Sequence, residues 1–404
     1  MRNFGLNRKL LNCLPSILLL ICFQGVSLSA MAAIENTFSP FVAGAKTYDS
    51  NLLRLDYSAG AANASDYVRR TVVGVNTDWK IARQHILLNA SVNENYYDRY
   101  SMLNYQGRDL KAGWNWQLGN RLSGDLGYTN KVTIGSFDYQ QSLLSNLYTQ
   151  TQYFWDGLWL FHPSWQVGMG VSKNNISYSD INQQSQNRED DLWEATLQYL
   201  SSTTSKIGIK QRETKGNYPN LAINSPALLD NGYHQHEMLG TIDWMYSGSS
   251  QLHGQGGVVQ RRHDHFSSRD YNTLTARGDY TWLPSATVSV NASAWREIAP
   301  YDDVTSSYSV SRGVSVASVW MATSKITASA RWQHDRRRFL GDPGIQQLTA
   351  ARVDSYDTFR LGIGYHPSRT INFNLTVGED TRVSNQRLAG FTSKMISIFA
   401  IFKM

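Results

Sequence analysis

Leu110-Lys111-Ala112-Gly113-Trp114-Asn115-Trp116-Gln117-Leu118 decides the fold. Leu110, Ala112, Trp114, Trp116 and Leu118 alternate with Lys111, Gly113, Asn115 and Gln117, and a two-residue period gives a β-strand one apolar and one wet face. The period recurs in Ile86, Leu88, Ala90 and Val92, in Trp165, Val167, Met169 and Val171, and in Val288, Val290, Ala292 and Ala294. It returns in Ile326, Ala328, Ala330 and Trp332 and in Ile371, Phe373, Leu375 and Val377. After Ala33 no amphipathic helix is legible, and no stretch is apolar enough for a membrane-spanning helix.

Alternation also fits a sandwich or a soluble barrel, so the connections must discriminate. Short turns fall near residues 80–83, 119–120, 162–163, 201–205, 247–250, 283–285, 322–324 and 367–369. Between them lie longer polar segments at 49–66, 98–104, 135–150, 179–190, 216–232, 264–269, 299–305, 337–352 and 382–388. Nine long loops and eight short turns predict eighteen strands, with sixteen as the neighbouring even count and both termini on the short-turn side. The segment Gln152 to Leu160 is poorly phased. Tight periplasmic turns opposite long outer loops characterise an all-β, antiparallel transmembrane barrel of the outer membrane.

Aromatic residues supply an independent line. Tyr67, Trp79, Trp116, Tyr128, Trp159, Trp165, Tyr199, Trp244, Tyr246, Trp282, Trp295, Trp320 and Tyr365 fall largely near strand ends, where interfacial girdles belong. The last strand alternates through Ile396, Ile398, Ala400, Phe402 and Met404. That resembles the C-terminal pattern read by barrel-insertion machinery, with Met404 in place of a terminal aromatic.

At the N-terminus Arg2, Arg8 and Lys9 precede an apolar run from Leu14 to Phe23 and the small residues Ser27 to Ala33. These are the parts of a secretory signal, with cleavage expected near Ala32 or Ala33. Bulky Ile21 before Cys22 argues against a lipoprotein. The expected organisation is a cleaved signal over 1–32 and one barrel over 33–404, placed in the Gram-negative outer membrane. Both cysteines, Cys13 and Cys22, fall within the removed segment, so no disulfide or cysteine metal site is expected in the mature chain. Removing Arg2, Arg8 and Lys9 takes Lys+Arg from 38 to 35 against 32 acids, and the net charge from +6 to +3.

With apolar side chains facing lipid, the opposite phase lines the lumen. Arg70, Lys111, Lys210, Arg277, Asp279, Arg331 and Arg360 are the candidate pore-lining residues, with Asp78, Asp109, Asp125, Glu194 and Asp243 on the same side. About eighteen strands enclose a lumen too wide for side chains to fill, and its cations offer a path to anionic solutes. The plainer reading is cross-strand pairing, since Arg277 lies two residues from Asp279. Segments 49–66 and 216–232 are long enough to fold into the lumen. His234 with His236, and His263 with His265, share predicted strand faces, and Arg336-Arg337-Arg338 begins a predicted outer loop. The histidine pairs offer divalent-ion ligands but fit a polar rim as well; the arginine run offers a contact for lipopolysaccharide phosphate or secreted polymer, with a solvated charge cluster as its plainer reading, and neither metal nor cofactor is expected. No G-x-S-x-G, H-E-x-x-H, Walker loop or dinucleotide fingerprint occurs, so neither an enzyme nor a nucleic-acid binder is expected.

Phe38-Ser39-Pro40-Phe41-Val42, Tyr48-Asp49-Ser50-Asn51-Leu52-Leu53-Arg54, Asp66 to Trp79 leading into Arg83-Gln84, and Asn115 to Tyr128 resemble the EpsL-like outer-membrane proteins of exopolysaccharide biosynthesis. The resemblance is clearest over residues 38 to 130. It implies export of a polysaccharide across the outer membrane, alongside periplasmic synthesis and export proteins; the barrel reading itself makes outer-membrane lipid, lipopolysaccharide and the barrel-insertion machinery the other expected partners. It supplies no catalytic residues. A general diffusion porin for small anions or sugars and a non-conducting scaffold of a secretion complex are the alternatives.

Overall fold

The computed structural model describes residues 37–56, 64–138, 143–203, 205–223, 230–300, 306, 308–340 and 351–404. The expected signal segment lies outside the described residues. Eighteen antiparallel strands follow one another round one closed sheet. They are β1 (Thr37–Asp49), β2 (Asp66–Ile81), β3 (Gln84–Tyr97), β4 (Tyr105–Leu118), β5 (Leu122–Ile134), β6 (Leu147–His162), β7 (Trp165–Tyr178), β8 (Arg188–Leu200) and β9 (Lys206–Asn217). The second half comprises β10 (Gly232–Ser247), β11 (Ser250–His263), β12 (Tyr271–Ser285), β13 (Val288–Pro300), β14 (Tyr308–Met321), β15 (Ile326–Leu340), β16 (Val353–Tyr365), β17 (Ile371–Ser384) and β18 (Phe391–Lys403). Strand β1 pairs with both β2 and β18, so no edge is left open to aggregate.

The register establishes which face is outside. Val73 opposes Val92, Val316 opposes Trp332 and Leu375 opposes Ile398, and opposed residues share a face. That face stays open: Val73 is 52%, Trp332 44% and Ile398 60% exposed. An apolar exterior on a closed barrel satisfies every backbone group while facing hydrocarbon. On the rim of short turns, Trp79, Trp159, Trp165, Tyr199, Trp244, Trp282, Trp320 and Tyr365 are exposed, as an interfacial girdle requires.

Two expectations change. Trp295 is no girdle residue: it opposes Arg277 and Gly313 on the inner face, because the phase that turns Ala292 and Ala294 outward turns Trp295 inward. The poorly phased segment is one regular strand, β6, whose outer Tyr153 and Trp155 are followed by inner Phe154 and Leu158. Apolar residues on both faces blur the period.

The sheet departs from regularity between β12 and β13. Their register runs from Trp282 opposite Val290 to Ala276 opposite Arg296 and ends there. Beyond it, Ile298 and Val310, which are in the outward phase, pack against inward-phase Val259 and Tyr271. The upper end of β13 and β14 therefore tucks inside β11 and β12.

Candidate functional site: the lumen and its outer mouth

All seven candidate pore residues sit on the inner face. Arg70 opposes Asn95, Lys111 opposes Asn89, and Lys210 opposes Thr196 and Leu239. Arg277 opposes Gln255, Asp279 opposes His253, and Arg331 directly opposes Arg360. Most of the second-half cations are neutralised in place. Arg277 bridges Asp279 at 2.9 Å and Glu297 at 3.0 Å, Lys210 lies 3.6 Å from Glu194, and Arg360 is 2.6 Å from Asp380. Arg331 donates to Gln333. Charge in this half of the lumen is thus held in local pairs.

The free cations lie on the opposite wall. Arg70, Lys111 and a third residue that sequence reading passed over, Lys131, form no ion pair among the described residues. Lys131 opposes Asp109 in register, but the two side chains do not pair. Around them are Asn89, Asn93 and Asn95, with Gln150 bonded to Asn174. This amide-rich wall thus carries ammonium and guanidinium groups outside ion pairs, interspersed with the inward carboxylates of Asp109, Asp125 and Asp156, and a low-dielectric barrel focuses the field of such exposed charges.

The outer mouth is narrowed by two loops that bend inward. Residues 50–56 carry Leu52 and Leu53 onto Tyr97 and Leu103, so this segment is anchored by apolar burial. Asn51 fixes the bend: its amide bonds the backbone of Leu55, and Arg54 adopts φ 56°. Arg54 is thereby aimed at Asp49 at 2.9 Å, Asp138 at 3.9 Å and Asp380 at 4.0 Å. Asp138 belongs to the β5–β6 loop. Its backbone carbonyl accepts from Arg382 of β17, a strand six steps round the ring from β5. Arg382 also donates to the Tyr356 hydroxyl at 3.2 Å and stacks on Phe391 at 4.8 Å. Burial pushes the Asp138 carboxyl above the ordinary range, against the pull of Arg54, Arg382 and Arg337. The knot spans a chord of the lumen and leaves the channel narrower than the barrel wall allows.

Other sequence candidates separate. Arg336, Arg337 and Arg338 lie within β15 rather than at a loop start. Arg337 turns inward to Asp335 at 2.8 Å, while Arg336 and Arg338 are exposed on the outside. His234 and His236 share the outer face. His263 and His265 do not share a strand face: His263 ends β11, and His265 sits in the next loop against Asp230 at 3.1 Å.

No family model matches the chain, and no curated protein does. Solved structures do resemble it. The outer-membrane protein OccK1 (OpdK) of Pseudomonas aeruginosa aligns at TM-score 0.51 with 10% identity, over 91% of this chain and 99% of that one. OpdK has also been solved with vanillate. OccK2 (OpdF) of the same organism, in complex with glucuronate, gives 0.50 with 10% identity over 91% and 98%. A BenF-like porin from Pseudomonas fluorescens Pf-5 gives 0.50 with 10% identity over 92% and 100%. The fold is that of an outer-membrane porin. Within this porin-type barrel the mouth knot escaped sequence reading because its members come from three distant segments; the one available signal was the length of 49–66.

Proposed function

We propose that this porin-type barrel is a passive channel for small anionic solutes, carboxylates and acidic sugars foremost. The observation that carries the reading is the wall of Arg70, Lys111 and Lys131, unpaired among the described residues and facing water below a mouth narrowed by Arg54, Asp138 and Arg382. Weak contacts at several such cations admit an anion without trapping it. Vanillate and glucuronate, found with two of the similar barrels, are both carboxylates. Planar-bilayer recordings should give a reversal potential favouring anions, and proteoliposomes should take up glucuronate faster than glucose. Cation preference with equal uptake of the two would refute it.

Residues 38 to 130 favour a second reading, export of an acidic polysaccharide beside periplasmic synthesis proteins, through their resemblance to EpsL-like proteins. That path requires the β1–β2 and β5–β6 loops to swing clear of the lumen. A deletion strain that secretes its polysaccharide normally would remove this reading and leave the first standing. Sustained conductance would remove the scaffold.

A further inference from the structure

The outer surface of β12 to β15 carries a feature that the channel does not use. Arg296 opposes Arg312, and Arg312 opposes Arg336, so three arginines stand side by side on neighbouring strands. Like charges directly opposed destabilise a sheet. Arg312 and Arg336 have no hydrogen bond or ion pair among the described residues, while Arg296 donates one amino group to the Thr273 hydroxyl at 3.0 Å and buries the other without a partner. The acid closest in register, Asp357, is taken by His334 at 2.9 Å. No acid among the described residues neutralises the row, whose one side-chain partner is the neutral Thr273 hydroxyl.

Height and shape identify what would relieve it. Trp320 marks the short-turn girdle, and Arg312 lies eight residues above it on β14. At ~3.3 Å per residue and a tilt of about 40° the row stands roughly 20 Å higher, at the outer edge of the apolar band. Directly beneath Arg296, over the last paired rungs of β12 and β13, lies a hollow of about 640 Å³ lined mostly by outward-phase residues, Ala276, Gly278, Ala294 and Val314 with Arg296, Arg312 and His334 at its upper end, and bounded by Arg277, Trp295 and Gly313. A side chain added at Gly278 would meet open space.

We propose that this groove seats a phosphorylated glycolipid of the outer leaflet, its acyl chain along Ala276, Gly278 and Ala294 and its phosphate on Arg296, Arg312 and Arg336. Guanidinium groups bind phosphate through charge-assisted, often bidentate hydrogen bonds, and one anion converts the opposed row from repulsive to bridged. The site faces lipid and works whether or not the lumen conducts.

The test uses the purified full chain in neutral detergent, with bisphosphorylated lipid A, its phosphate-free form and inorganic phosphate as probes. The wild type should gain several degrees of Tm from the bisphosphorylated lipid and little from the other two. Arg312→Gln with Arg336→Gln should abolish that gain yet match or exceed the wild-type Tm without lipid, because repulsion is removed. Gly278→Leu, which keeps the arginines and fills open space, should also reduce the gain. An equal gain in the double variant, or an equal gain from inorganic phosphate, overturns the site. So does a full gain in Gly278→Leu, or a wild-type oligomer that the double variant dissolves, which would seat the acidic rim of a second copy there.

Discussion

Arg54 and Asp138 belong to different mouth loops, and their side chains meet at 3.9 Å over the lumen while both remain buried. Arg54 is the only cation that touches Asp49, Asp138 and Asp380 together among the described residues. Removing it leaves three carboxylates close together with their shared partner gone, and breaking a buried pair in this way costs about 3–5 kcal/mol. The loops have water to move into, so the cost should appear as opening rather than unfolding. Arg54→Gln is expected to raise single-channel conductance and its noise at an unchanged Tm. An unaltered conductance would mean that the knot does not limit the path.

The same knot should respond to pH. Burial raises the Asp138 carboxyl above the ordinary range, while Arg54, Arg382, Ser136 and Arg337 oppose the shift. A carboxyl that binds its proton more tightly in the clasped arrangement stabilises that arrangement as pH falls through the raised pKa, and loses the contribution as pH rises through it. Acidifying from neutrality toward the ordinary carboxylate range should therefore lower the open fraction, with Asp49 and Asp380 facing the same arginine. Asp138→Asn should flatten the profile, and a channel that opens on mild acidification would contradict the sign.

Selectivity should follow unpaired charge rather than charge alone. Lys111→Gln with Lys131→Gln removes two cations that have no ion pair among the described residues, so the reversal potential should move toward cations with little change in stability. Arg277→Gln with Asp279→Asn removes one charge of each sign from a bridge of 2.9 Å. The local sum is unchanged, and the reversal potential should stay near that of the wild type. If the second pair shifts it as far as the first, the free-cation wall does not govern permeation.

The barrel was legible because its governing pattern is local. The alternation in Leu110 to Leu118 fixes both faces of β4 without any knowledge of its neighbours, and the same pattern applied to Ala292 and Ala294 would have turned Trp295 inward. The Arg277–Asp279 bridge was legible for a similar reason, since residues two apart on a strand share a face. Contacts between segments were not. Arg382 reaches the Asp138 carbonyl across 244 positions of chain, and no spacing rule links them. The arginine row needs the register of β13 against β14 and β14 against β15; from sequence, Arg336 was only one member of a basic run.

Ala82 offers a stability test independent of transport. It occupies the first position of the two-residue turn between β2 and β3, closed by Ile81 opposite Gln84, with φ 54°. A Cβ in this left-handed region crowds the following carbonyl and costs roughly 1–2 kcal/mol. Glycine adopts the same backbone without that clash, though it gives the unfolded chain more freedom. The two effects oppose, and the larger steric term should win by about 0.5–1 kcal/mol. Ala82→Gly should therefore raise the urea midpoint for unfolding from lipid vesicles at an unchanged m-value. A lowered midpoint would mean that the turn relaxes its strain in the membrane-bound protein.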